Sequence, residues 1–171
     1  SFKIDYADKN FVGDMNYTRF TTDLFINYPL GLGILYSRVK AIFMNGDPSA
    51  QNRLALTDDI PLYQSNVNIL EDNEIINPRG WDGTRYGNRL VLNTLEYRIG
   101  SDKFSIAAIS DIANAWNVGN TIEDWIITGG YEMRFNLFGF ILACGQAQTF
   151  KNWEKDIVPD TYIRLTLINP F

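Results

Sequence analysis

Residues 77–99 read NPRGWDGTRYGNRLVLNTLEYRI, and this stretch decides how the fold is interpreted. Arg79 stands between a proline and a glycine at the end of a long polar segment. A strand-like run with alternating polar and apolar residues follows and carries Glu96, and the next such run carries Asp111. Isolated charges are costly to bury in such surroundings unless they pair. We therefore expect Arg79, Glu96 and Asp111 to form a buried ion cluster.

The composition excludes several kinds of function. Aromatic residues make up 14% and charged residues 20% of the 171 residues, which leaves open both a soluble sandwich and a membrane barrel. The net charge of −5 argues against nucleic-acid binding, which needs a basic surface. Histidine is absent and Cys144 is the only cysteine, so the common general base, nucleophile pairs and cysteine-based metal sites are missing. We predict no enzyme activity, no catalytic residue, no cofactor and no metal site.

Alternation with a period of two residues runs through the whole sequence, and helical periodicity is nearly absent. It predicts about eight strands, at about 2–9, 17–28, 34–46, 89–99, 104–116, 125–137, 140–150 and 161–171. Most exceed the ~5–6 residues of globular strands and approach the ~9–11 that cross a bilayer at a tilt. Short and long connections alternate, and the longest insert lies at about 47–88. The pattern predicts an all-β, antiparallel transmembrane barrel.

The strand at 125–137 shows best how the two faces of this wall differ. One face carries Tyr131, Met133 and Phe135, and the other carries Glu132 and Arg134. An apolar face flanked by aromatic residues, opposite a polar face, is typical of a wall between lipid and a wet interior. A soluble sandwich with one solvated face is the alternative. The strand at 140–150 alternates poorly, so its faces stay unassigned.

The last predicted strand ends the chain on an aromatic residue, Phe171. Ile163, Leu165 and Leu167 share one face of it. A strand in lipid cannot leave its edge groups unpaired. We therefore expect this strand to close against a first strand and to form one side of a seam.

Together these features resemble the C-terminal half of the barrel in the BamA/TamA/FhaC superfamily of bacterial surface antigens. A long extracellular loop of that family carries Val-Arg-Gly-Phe/Tyr, which Pro78-Arg79-Gly80-Trp81 resembles. The next strand ends in Glu-Tyr-Arg or similar, as Glu96-Tyr97-Arg98 does. The strand after it carries aromatic-x-Asp-x-Gly, which the chain matches only at Asp111.

The resemblance implies an outer-membrane barrel of about sixteen strands in a Gram-negative-type bacterium. Residues 1–171 would be its C-terminal half, and the insert at about 47–88 would be an extracellular loop that folds into the lumen. Arg79 would then meet Glu96 and Asp111 inside the barrel. The N-terminal half-barrel and any periplasmic or passenger domains would lie outside this chain. The other partners would be outer-membrane lipid and client proteins, with no nucleic acid.

The same resemblance implies a function in inserting outer-membrane proteins or in exporting a partner or passenger protein. A client strand would pair with an edge exposed at a lateral seam, because lipid makes unpaired edges expensive. The alternative is a passive or substrate-specific, porin-like channel. Such a channel has no need of an Arg-Gly-aromatic loop followed by two acidic strands.

Overall fold

A computed structural model gives the fold and describes residues 1–7, 16–47, 54–57, 78–81, 83–122, 124–137, 140–151, 154–155 and 160–167. These residues form strands and turns. The strands are β1 (Phe2–Ala7), β2 (Asn16–Leu30), β3 (Gly33–Asp47), β4 (Leu54–Thr57), β5 (Thr84–Gly87), β6 (Arg89–Gly100), β7 (Phe104–Trp116), β8 (Ile126–Leu137), β9 (Phe140–Lys151), β10 (Glu154–Lys155) and β11 (Asp160–Leu167). The described part of the chain holds no helix long and apolar enough to span a membrane.

Most strands belong to one antiparallel sheet. Neighbours follow chain order as β1, β2, β3, β6, β7, β8 and β9, and both β10 and β11 pair with β9. The prediction of an all-β, antiparallel fold is therefore confirmed. Within the described residues the sheet is open, with β1 at one edge and β10 and β11 at the other. The closure predicted for the last strand is not among these ladders.

A short hairpin inside the insert at 47–88 escaped the sequence prediction. Its strands, β4 and β5, pair with each other and have only four residues each. Strands this short do not show a period of two clearly enough to be recognised. Leu54 and Leu56 of β4 are buried in an apolar cluster with Ile42, Met44 and Leu90 of the main sheet. The hairpin therefore packs onto the sheet through its own apolar side chains.

The sheet has two unlike faces, and β8 shows the difference. Glu132 is buried and Arg134 is half-buried, whereas Tyr131 and Met133 on the other side of the strand are exposed. We call the side of Glu132 the inner face and the side of Tyr131 the outer face. Strand register carries the outer face across the sheet, where it exposes large apolar side chains: Ile4, Ile26, Leu95, Ile99, Ile106 and Ile112.

Strand β9 explains why the sequence at 140–150 gave no assignment of faces. Pairing with β8 puts Ala143, Gly145 and Ala147 on the inner face, and all three are buried. The backbone of the insert lies against them, since a Cβ on Gly80 would collide with the backbone of Ala147. Because these inner positions hold alanine and glycine instead of polar residues, they differ little in hydrophobicity from the outer positions of β9, and the alternation along the strand is weak.

Strand β11 is the described part of the predicted C-terminal strand. It pairs with β9 from Asp160 to Leu167, and Ile163 and Leu165 occupy alternating positions of this ladder. Phe171 lies outside the described residues.

Candidate functional site: a buried ion network around Arg79

The segment of residues 78–81 crosses the inner face, and Gly80 lets it lie close to β9. Gly80 has a φ of 75°, a left-handed conformation that glycine adopts easily. Its carbonyl oxygen accepts a 2.8 Å hydrogen bond from Oγ1 of Thr149 in β9. Pro78 before it is buried, and Trp81 after it packs half-buried against the apolar cluster under the hairpin. Gly80 is thus held by a contact with the sheet and Trp81 by a contact with the hairpin cluster.

Asp111 holds both the side chain and the backbone of Arg79. Nε of Arg79 donates to Oδ2 of Asp111 at 2.8 Å, and Nη2 donates to Oδ1 at 2.7 Å. The backbone N–H of Arg79 donates to the same Oδ2 at 3.0 Å. Two parallel bonds from a guanidinium to a carboxylate are among the strongest polar contacts in proteins. Asp111 therefore fixes the orientation of Arg79 as well as its charge.

Glu96 of β6 accepts a hydrogen bond from the remaining terminal nitrogen of Arg79. Nη1 of Arg79 lies 2.7 Å from Oε1 of Glu96 and 3.9 Å from Oε2 of Glu132. The structure therefore brings together Arg79, Glu96 and Asp111, the three residues singled out from the sequence. It also adds Glu132, which the sequence placed only on the polar face of β8.

Two further arginines complete the site. Nε of Arg98 donates to Oε2 of Glu96 at 2.6 Å. Nη2 of Arg134 donates to both oxygens of Glu96, at 3.0 and 2.9 Å, and Nε of Arg134 donates to Glu132. The sequence carried a signal for both, because Glu-x-Arg occurs in β6 and again in β8. Residues two apart on a strand share a face, so each pattern places a carboxylate beside a guanidinium.

We call these six residues the ion network: Arg79, Arg98, Arg134, Glu96, Asp111 and Glu132. Its charges balance, with three guanidinium and three carboxylate groups. The carboxylate side chains are nearly inaccessible, with exposed fractions of 4% for Glu96, 2% for Asp111 and 0% for Glu132. Charges this deep persist only when they are paired, and removing one partner leaves its neighbour uncompensated. The network therefore favours one position of residues 78–81 over alternatives.

Small residues of β7 make room for these long side chains. Register places Ala107 between Arg98 of β6 and Glu132 of β8. The methyl group of Ala107 is fully buried, so the side chains from the two flanking strands meet above it.

A second anchor holds the hairpin of the same insert. Nη1 of Arg85 in β5 donates to Oδ1 of Asn114 at 2.8 Å and to the carbonyl oxygen of Asp124 at 2.7 Å. Together with the apolar cluster under Leu54 and Leu56, these bonds fix the hairpin to β7 and to the turn after it. The insert is thus held at two places by different kinds of interaction.

In this structure the contacts of the ion network hold residues 78–81 against the sheet. In the part of the chain that the structure covers, no group of acidic residues and cysteine is arranged to hold a metal ion. No family model, curated protein or solved structure matched the chain. The resemblance to the BamA/TamA/FhaC superfamily therefore stays a prediction from the residues quoted above.

Proposed function

We propose that the chain is part of the wall of a transmembrane β-barrel in the outer membrane of a Gram-negative-type bacterium. The outer face supports this proposal, because large apolar side chains are exposed on strand after strand. A soluble monomer rarely exposes so continuous an apolar surface. Lipid would cover it, with the charged inner face turned toward the interior of the barrel. The N-terminal half of a barrel of about sixteen strands would close the sheet.

The barrel inserts outer-membrane proteins or exports a partner or passenger protein. The observation behind this conclusion is that the ion network grips residues 78–81 on the inner face, through four hydrogen bonds from Arg79 alone. A barrel whose seam opens loses the strand pairing that normally fixes its shape. A segment held across the inner faces of β6 to β9 would keep that part of the wall in place while the seam moves.

The seam lies along β11 in this proposal. Among the described residues its edge away from β9 is unpaired, and it presents N–H and C=O groups that lipid cannot satisfy. A client strand satisfies them by pairing, which draws it into the wall without a nucleotide or a metal ion.

A porin-like channel is the second candidate, and the ion pairs of β1 to β3 favour it. Arg19 pairs with Asp5 and Arg38 pairs with Asp23 on the inner face. Rows of lumenal charges are common in pores that pass polar solutes.

One experiment separates the two functions. The complete barrel is reconstituted in lipid vesicles as the unchanged protein, as Arg79→Ala and as the control Arg19→Ala, which removes an inner-face arginine outside the ion network. We expect Arg79→Ala to slow the insertion of a client outer-membrane protein at least about tenfold, which corresponds to an activation barrier raised by ~1.4 kcal/mol. Arg19→Ala should leave the insertion rate nearly unchanged. Normal client insertion by both variants, with altered flux of small solutes, would favour the channel.

A further inference from the structure

A groove of about 400 Å³ opens beside the ion network, between the β2–β3 and β6–β7 turns. Arg98 and Arg134 line it, while Glu96 and Glu132 do not. The network is neutral as a whole, but two of its three cations line this groove and none of its carboxylates does.

Both arginines retain donors that can serve a ligand. A guanidinium has five N–H groups. Arg98 uses Nε and Nη2 for Glu96, and Arg134 uses Nη2 for Glu96 and Nε for Glu132. Across the described residues, no hydrogen bond engages Nη1 of either arginine. Both side chains contact Oε2 of Glu96, so their guanidinium groups are neighbours.

The exposure of the charges favours an anion in this groove. The side chain of Arg98 is 30% exposed and that of Arg134 is 14% exposed, whereas Glu96 behind them is 4% exposed. The opposing carboxylate is Asp102, which also lines the groove but is exposed on the turn, where water and salt screen it. The charges nearest to a bound group are therefore positive.

The groove also offers an apolar wall. Leu32 and Ile34 line it, and Leu32 is 90% exposed at the tip of the β2–β3 turn. Free phosphate would use only the two guanidinium groups, because it has no apolar part. An acidic side chain next to an apolar one in an extended peptide would use both kinds of surface.

We infer that this groove binds an acidic side chain of an extended polypeptide. The carboxylate would accept hydrogen bonds from Nη1 of Arg98 and of Arg134, and the adjacent apolar side chain would pack on Leu32 and Ile34. The inference goes beyond the proposed function, because it requires neither a membrane nor a moving seam.

The test uses the full-length protein, kept in solution with detergent, and a fluorescent peptide, acetyl-Leu-Glu-Leu-amide. Its partner probe is the same peptide with glutamine, which is isosteric but uncharged. We expect the glutamate peptide to bind at least about tenfold more tightly, because its bonds to guanidinium are charge-assisted, and to weaken as salt is added. Equal binding of the two peptides, or no binding of either, would overturn the inference. Inorganic phosphate that displaces the peptide at equal concentration would show a general anion site and overturn the peptide assignment.

Four variants test whether the peptide binds in the groove. Arg98→Gln should lower the affinity for the glutamate peptide about tenfold, and Arg98→Lys should restore part of it. Should Arg98→Gln fail to fold, Ser105→Leu fills the groove without changing a charge and should abolish binding. Ser37→Leu makes the same change on the outer face and should bind normally. Undiminished binding by Ser105→Leu would place the peptide elsewhere.

Discussion

Replacing Arg79 by alanine should release residues 78–81 from the inner face, and Asp111 determines the size of the effect. All hydrogen bonds shown for the Asp111 carboxylate come from Arg79, whereas Glu96 would keep Arg98 and Arg134. Arg79→Ala therefore leaves one buried carboxylate uncompensated, which costs about 3–5 kcal/mol. At ~1.4 kcal/mol per factor of ten, the released state should become roughly 10²- to 4 × 10³-fold more populated.

A double-mutant cycle with Asp111→Ala tests this reasoning. The second substitution removes the stranded charge, so the double variant should be less destabilised than the sum of the two single variants by roughly 2–3 kcal/mol. The readout is limited proteolysis of the insert in the folded barrel, together with hydrogen exchange of the backbone N–H at position 79. Arg19→Ala serves as the control and should cost about 1 kcal/mol or less, because its partner Asp5 is partly exposed. Additive effects of Arg79→Ala and Asp111→Ala would refute the pairing on which the site is built.

Three further predictions concern the two faces of the sheet and the turn of the insert. Residues 1–171 alone should require detergent to stay in solution, because the outer face is apolar and both edges of the sheet are open among the described residues. A monodisperse monomer in plain buffer, measured by light scattering, would contradict this. Met133→Lys on the outer face should destabilise the barrel in lipid by about 2–4 kcal/mol, whereas Asn136→Lys, at an exposed position of the inner face, should cost far less. Equal urea midpoints for the unfolding of the two variants would argue against lipid at Met133. Gly80→Ala should destabilise the attachment of the insert by more than the ~1–2 kcal/mol that a left-handed alanine costs, because the added Cβ also collides with the backbone of Ala147. Gly119→Ala, where a Cβ meets open space, should cost only that amount. Equal proteolysis of the insert in both variants would contradict the close approach of Gly80 to β9.

The sequence predicted the β-sheet well because alternation is a local property. Each long strand carries its own period of two residues, and the strand order follows from short antiparallel connections. The hairpin of β4 and β5 had no such signal, since four residues give too few alternations. The small inner residues of β9 hid its faces for a different reason: they are selected by the close approach of Gly80, a contact between distant parts of the chain.

The ion network shows the same limit at the level of side chains. Arg79, Glu96 and Asp111 could be predicted from the sequence because two carboxylates in alternating strand sequence follow an arginine beside a glycine. The pairing of Glu96 with Arg134 depends instead on the register of β6, β7 and β8. Register is set by the whole sheet, and a shift of one residue would turn Arg134 to the outer face. Register also determines the environment of position 132, where the polar alternation alone predicts a position that tolerates substitution. Glu132 instead lies fully buried against Arg134, so Glu132→Lys would place two cations together and should be among the most damaging changes on the inner face.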